Sequence, residues 1–268
     1  MEMRSLKRLI CLLLFFNIYA CSGDIEAPYV ERSVNALYNT ALDALEANEY
    51  SKATKSFEEV ERQHPYSVWA TKAQLMAAYA NYEANKYDDA IIGLDRFIQL
   101  HPGNSDTPYA YYLKALSYYE QITDISRDQL VTEKALKALR NVVRRYPQTK
   151  YARSARLKID LTRDHLAGKE MSIGRFYLRK KEYTAAINRF NRVINQYQTT
   201  THVPEALHRV AEAYTALGLP KEAKKAASVL GHNYPGSEWY TDSYTLMMGK
   251  NLSKKKKGFL NRIWNSVF

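Results

Sequence analysis

Ala53-Thr54-Lys55-Ser56-Phe57-Glu58-Glu59-Val60-Glu61-Arg62-Gln63-His64-Pro65 sets out an alanine, a large apolar residue four positions on, another apolar residue three beyond it, and a proline five further. The pattern returns at Ala90, Leu94, Phe97 and Pro102, and again at Ala135, Leu139, Val142 and Pro147. Ala186, Phe190 and Val193 repeat it with Gln198 in the proline's place, and Ala223, Ala227, Leu230 and Pro235 complete a fifth copy. Recurrence in phase over tens of residues is the signature of stacked repeats. The apolar positions fall on one face at helical spacing. The alanine admits close approach of a paired helix, and the proline stops the helix and sets the angle into the next unit.

Around the proline runs a recurrent turn, His64-Pro65-Tyr66-Ser67, Tyr146-Pro147-Gln148-Thr149 and Tyr234-Pro235-Gly236-Ser237, whose Ser or Thr can cap the following helix. Gly218 ends one helix and Pro220 opens another. Leu207, Val210, Ala211 and Tyr214, like Ile173, Gly174 and Tyr177, match the first-helix positions of the tetratricopeptide family, and the resemblance covers most of residues 31–236. The expected fold is all-α, an α-solenoid of about five tetratricopeptide-like helix pairs. The marker alanines are 37, 45, 51 and 37 residues apart, all longer than the family's usual period of about 34. The 45 accommodates a polar insertion at 123–128, and the 51 an extended helix from about Ala152 to Lys181.

The first twenty residues pose a different problem. Arg4, Lys7 and Arg8 precede an apolar stretch from Leu9 to Ile18, and Ala20 stands at a cleavage position, which reads as a secretory signal. Ile18-Tyr19-Ala20-Cys21 resembles a bacterial lipobox, so Cys21 is the candidate lipidation site. With Cys11 removed in the signal, Cys21 is the remaining cysteine of two, and acylation consumes a thiol that would be a liability in an oxidising compartment. More than one acyl chain anchors stably where a single chain does not. In lipoproteins of this kind Asp after the cysteine signals inner-membrane retention, and Ser22 is compatible with the outer membrane. The formal charge is +11, but residues 1–20 and the acid-free stretch 250–268 leave only +3 for 21–249.

Mapping the groove positions of tetratricopeptide first helices (second, fifth, ninth and twelfth) onto the repeat gives an aromatic N-terminal half. The candidate peptide-binding residues are Tyr38, Leu42, Leu75, Tyr79, Tyr82, Tyr109, Tyr112, Leu116 and Tyr119. Tyrosine suits such a role because it buries apolar area while keeping a hydrogen-bonding tip. The same residues at helical spacing are also what a repeat core needs. The C-terminal half offers Met171, Arg175 and Leu178, then Glu205, His208, Glu212 and Thr215, of which Arg175, His208 and Glu212 are candidate partner-docking residues.

Chemistry of other kinds finds little support. Of six histidines, His64 and His101 occupy equivalent turns and belong to the architecture, and no His-x-x-x-His pair or glycine-rich phosphate loop occurs, so neither metal nor other cofactor is expected. A lytic enzyme on a helical solenoid would need a catalytic glutamate in a separate domain, and there is no Glu-Ser pair and no room for one. At the C-terminus Lys254, Lys255, Lys256 and Lys257 precede Phe259, Leu260, Ile263, Trp264 and Val267, a basic amphipathic pattern suited to an anionic bilayer or a partner. The alternative is a solvated, unstructured tail. Nucleic acid is not expected, because an exported protein rarely meets any.

Ala90-Ile91-Ile92-Gly93-Leu94-Asp95-Arg96-Phe97-Ile98 and Tyr109-Ala110-Tyr111-Tyr112-Leu113-Lys114-Ala115-Leu116, with the lipoprotein signal, resemble the BamD/ComL family of the Gram-negative β-barrel assembly machinery. That resemblance implies a non-catalytic scaffold, lipid-anchored in the outer membrane and facing the periplasm. Its partners would be unfolded barrel proteins at the N-terminal repeats, a BamA-like barrel subunit at the C-terminal repeats, and other assembly lipoproteins. The expected organisation is a signal at 1–20, a lipidated linker at 21–32, N-terminal repeats at 33–150, C-terminal repeats at 151–249 and a basic tail at 250–268. The repeat by itself also fits a periplasmic adaptor organising peptidoglycan synthesis or division proteins.

Overall fold

The computed structural model describes residues 31–125 and 127–248, and within them each copy of the repeat folds as a helical hairpin. The pairs are α1 (Val34–Glu46) with α2 (Tyr50–Gln63), α3 (Val68–Glu83) with α4 (Tyr87–Leu100), α5 (Thr107–Tyr119) with α6 (Leu130–Arg145), α7 (Lys150–Arg179) with α8 (Tyr183–Gln196), and α9 (Val203–Ala216) with α10 (Pro220–Asn233). A further helix, α11 (Glu238–Met247), follows the fifth pair. No strand occurs among the described residues, and the protein is an all-α solenoid.

The repeat pattern is the core. Ala53, Ala90, Ala135, Ala186 and Ala223 are wholly buried, as are Phe57, Leu94, Leu139 and Phe190 four positions on. Val60, Phe97, Val142, Val193 and Leu230 complete the row. Each such large side chain contributes about 1.5–3 kcal/mol by leaving water. Helices α1 to α10 each pack chiefly on their neighbours in the chain, while α1, α3, α5 and α7 also touch in succession and α11 lies on α9 and α10.

Two kinds of turn alternate. Inside pairs one, two, four and five, three residues suffice, with Asn48, Asn85, Lys181 and Gly218 in the left-handed region at φ 60, 58, 64 and 73°. The next residue's N–H reaches back five positions, from Glu49 to the Ala44 carbonyl at 2.8 Å and from Glu182 to that of Tyr177 at 3.0 Å, satisfying carbonyls at the helix end. Asn48 and Asn85 also accept hydrogen bonds from the hydroxyls of Tyr50 and Tyr87, each at 2.7 Å. The third pair departs from this design, and its helices are joined through residues 120–129, where the polar insertion falls.

Between pairs the proline turn does what its sequence promised. Ser67, Thr149 and Ser237 accept from the backbone N–H groups of Trp69, Ala152 and Trp239 at 3.1, 3.2 and 3.2 Å. His64 Nε2 lies 2.7 Å from the Arg32 carbonyl and His101 Nε2 3.0 Å from the Gln74 side chain, so both imidazoles tie a turn to an earlier element. α7 is a single helix of 30 residues, about 45 Å long. It runs unbroken through Gly168, where an added Cβ would come within 3.4 Å of His202 and 3.8 Å of Ile125 from the insertion.

Candidate peptide groove along the first helices

Successive first helices carry the candidate groove, and the repeat register assigns their positions distinct roles. The fifth position is occupied by Tyr38, Leu75, Tyr112, Met171 and His208. Tyr38 is 8%, Leu75 6%, Met171 0% and His208 7% exposed, so these four are contacts between repeats. Tyr38 and Leu75, expected in the peptide groove, and His208, expected to dock a partner, are buried between repeats instead. The cause is the next first helix. Trp69 lies 4.7 Å from the Tyr38 ring, Tyr151 5.5 Å from that of Tyr112, and Trp239 5.4 Å from the imidazole of His208. Leu75 is held in a core with Leu94, Phe97, Ala110 and Leu113.

Sequence mapping missed these covering aromatics, although a signal was present. Trp69, Tyr151 and Trp239 each stand four residues after a turn proline, Pro65, Pro147 and Pro235. Counting forward from the proline, instead of backward from the alanine, finds them. Tyr151 was lost because α7 is so long that the alanine-based register lands on its C-terminal half.

The ninth and twelfth positions behave differently. Tyr79, Tyr82, Leu116 and Tyr119 are half-buried, as are Tyr109 at a second position and Tyr112. Burial pushes the Tyr82 hydroxyl up to about 12, with Glu120 adding to the effect. Tyr109 is raised by burial and then by the neighbouring hydroxyls of Tyr79 and Tyr151, Tyr79 by burial and then by Glu83, and Tyr119 by burial and then by Glu120. All four therefore remain neutral hydrogen-bond donors at physiological pH. Tyr79, Tyr82, Tyr109 and Leu116 pack on one core between α3 and α5, and Tyr151 of α7 lies 5.5 Å from the rings of both Tyr109 and Tyr112, so the tyrosines form a wall across these helices. The Tyr112 hydroxyl lies 2.6 Å from Ser154 Oγ, and Lys158 Nζ sits 4.2 Å above the Tyr119 ring. Leu42 extends the apolar surface towards the first pair, packing beside Leu45 on its core.

The C-terminal first helices carry charge instead. Arg175 of α7 donates to Glu205 of α9 at 2.9 Å, and Arg209 reaches Glu205 at 3.5 Å and Glu212 at 2.8 Å. The Arg209 guanidinium also lies 5.2 Å from the Trp239 ring. Arg175 and Glu212 thus share one polar chain, with Arg209, which the sequence reading passed over, as its centre. The i,i+4 and i,i+3 spacings to Glu205 and Glu212 were the available signal. His208 lies beneath this chain, its Nδ1 2.8 Å from Ser243 of α11, and burial followed by the nearby Arg209 pushes its pKa down.

The lipidation candidate Cys21, the lysines Lys254, Lys255, Lys256 and Lys257, and Trp264 all lie outside the described residues. No helix among the described residues is long and apolar enough to cross a membrane.

This architecture has known counterparts. The family described as YfiO, an outer membrane lipoprotein, matches residues 30–230. The chain is 52% identical over 239 residues to the outer membrane protein assembly factor BamD of Caulobacter vibrioides, covering 88% of this chain and 78% of that protein. It is 50% identical over 226 residues to that of Rickettsia prowazekii, covering 84% and 88%. With that of Neisseria meningitidis serogroup A the identity is 34% over 222 residues, covering 79% and 83%.

Proposed function

Because this chain belongs to the outer membrane lipoprotein family that contains the BamD assembly factors, we propose that it is a non-catalytic scaffold that holds an unfolded barrel protein on its N-terminal pairs and a BamA-like barrel subunit on its C-terminal pairs. In this reading Cys21 carries the lipid that fixes the chain to the outer membrane on its periplasmic side. Other assembly lipoproteins complete the complex.

The observation that carries the proposal is the half-buried tyrosine wall of Tyr79, Tyr82, Tyr109, Tyr112 and Tyr119. Half-buried rings offer apolar area without the cost of ordering flexible side chains, and their neutral hydroxyls can donate to the carbonyls of an extended peptide. An aromatic-ended segment of an unfolded barrel strand fits that chemistry. The polar chain Arg175–Glu205–Arg209–Glu212 supports a different partner for the other half, one recognised through charge. A catalytic reading has little to work with. The serine–histidine contact of Ser243 and His208 is buried on both sides and serves α11.

The test is binding of a labelled peptide ending in phenylalanine to the mature lipoprotein in detergent, comparing wild type with Tyr79→Ser plus Tyr119→Ser. Both rings are half-buried where Tyr38 is sealed, so the helical circular dichroism signal should be retained while affinity falls at least about tenfold. Equal affinity would remove the groove from the proposal. Co-purification from solubilised envelopes tests the other half, since a scaffold of this kind brings down a barrel subunit with periplasmic repeat domains.

A further inference from the structure

Charge along this chain is sharply segregated, a feature that the overall balance hides. Residues 31–129 contain nine lysines and arginines against fifteen acids, whereas residues 130–163 contain ten against two, Glu133 and Asp160. Part of that basic block borders the cleft between α5, α6 and the α8–α9 turn, with a volume of about 960 Å³. Lys134, Lys137, Arg140 and Arg144 rise from α6 along one side. Lys134, Lys137 and Arg140 are exposed and form no ion pair among the described residues. The Asn141 side-chain oxygen accepts from Arg144 at 3.0 Å and from Arg145 at 3.1 Å, which fixes two guanidinium groups at the cleft without neutralising them.

The floor of the cleft is largely uncharged, apart from Lys114 of α5, which is paired with Asp95, and Glu133 of α6 also stands on the lining. Leu136 and Leu166 are nearly buried there, and Tyr111, Tyr118 and Tyr197 present half-buried rings. Tyr111 and Tyr118 stand about 100° around α5 from Tyr112 and Tyr119, on an adjacent face of the helix. A ligand here therefore meets a different set of side chains from one on the tyrosine wall.

We propose that this cleft binds a short acidic segment of a partner protein in extended conformation, its carboxylates on the α6 cations and its apolar side chains on the tyrosine floor. From Lys134 to Arg145 α6 rises about 16 Å. An extended chain covers that distance with about five residues. Alternation in such a strand sends carboxylates one way and apolar groups the other, matching a cationic side beside an apolar floor. A bilayer surface would meet the rim but leave the recessed floor empty, so the observations favour a peptide over lipid. Unpaired like charges crowded on one helix repel, and an anionic partner relieves that repulsion.

The probe is a fluorescein-labelled five-residue peptide of alternating glutamate and leucine, titrated into the mature full-length lipoprotein at low salt. Lys134→Glu, Lys137→Glu and Arg140→Glu together should weaken binding at least about tenfold. The pair Lys221→Glu and Lys224→Glu, exposed on α10, should change it little. The Tyr79→Ser plus Tyr119→Ser protein should bind this peptide normally, which separates the cleft from the groove. Equal loss in the α10 control, equal binding of a lysine–leucine peptide, or binding to phosphatidylglycerol vesicles with none to the acidic peptide would each overturn the proposal.

Discussion

Lys181 holds the turn between α7 and α8 at φ 64°, where its counterparts are Asn48, Asn85 and Gly218. A side chain with a Cβ is disfavoured there, and the asparagines offset the strain by bonding the tyrosine two residues on. Lysine has no such compensation, so Lys181→Gly is expected to stabilise the protein by roughly 1 kcal/mol. A rise of about 2–4 °C in thermal midpoint would register it. Gly174 makes the opposite demand. A Cβ there would lie 2.4 Å from the ring of the fully buried Phe190. Gly174→Ala should thus destabilise by about 1–3 kcal/mol, although alanine is the better helix former. A chemical denaturation curve decides between packing and propensity, because an increase in midpoint would mean that Phe190 moves freely.

At the scale of an element, α11 is a lid on the last repeat. Ser237 caps it, Trp239 covers His208, and Ser243 meets the imidazole inside. His208 is buried and its pKa lies below the ordinary value of 6.5. The unfolded chain therefore takes up the proton first as pH falls, so stability is full above about 6.5 and declines below it, towards the folded value. The urea midpoint should drop between about pH 7.5 and about pH 5.5. His208→Gln, which keeps a polar partner for Ser243 and cannot titrate, should flatten that part of the dependence. An unaltered pH profile in the variant would assign the effect elsewhere.

For the whole molecule, the decisive element is α7. Its N-terminal half carries Tyr151 and Ser154 against α5, and its C-terminal half carries Met171 and Gly174 against α8 and α9. Solenoids are held by nearest-neighbour interfaces, so a break in the shared helix should separate the units on either side. Leu161 is 60% exposed, which leaves little packing to lose there. Leu161→Pro should cost about 3 kcal/mol in the helix backbone. Beyond that cost, it is expected to split unfolding into two transitions, with Trp69 reporting one half and Trp239 the other. A single coincident transition would show that the halves are coupled by more than α7.

The repeat, the hairpin order, the cap residues and the polar insertion were all legible in the sequence, because they depend on spacing along one chain. Ala53, Phe57, Val60 and Pro65 have to recur in phase for helices to stack, and the recurrence can be counted. The tyrosine-rich character of the N-terminal first helices was legible for the same reason. Which of those residues stay open to solvent was not. Tyr38 and Tyr79 are both first-helix tyrosines, yet one is sealed by Trp69 and the other stays half-open. His208 reads as polar surface until α11 folds over it. The cationic cleft likewise exists only once α5, α6 and the α8–α9 turn are brought side by side. Periodicity places a residue on its own helix, whereas exposure and charge environment are set by the helix that packs against it.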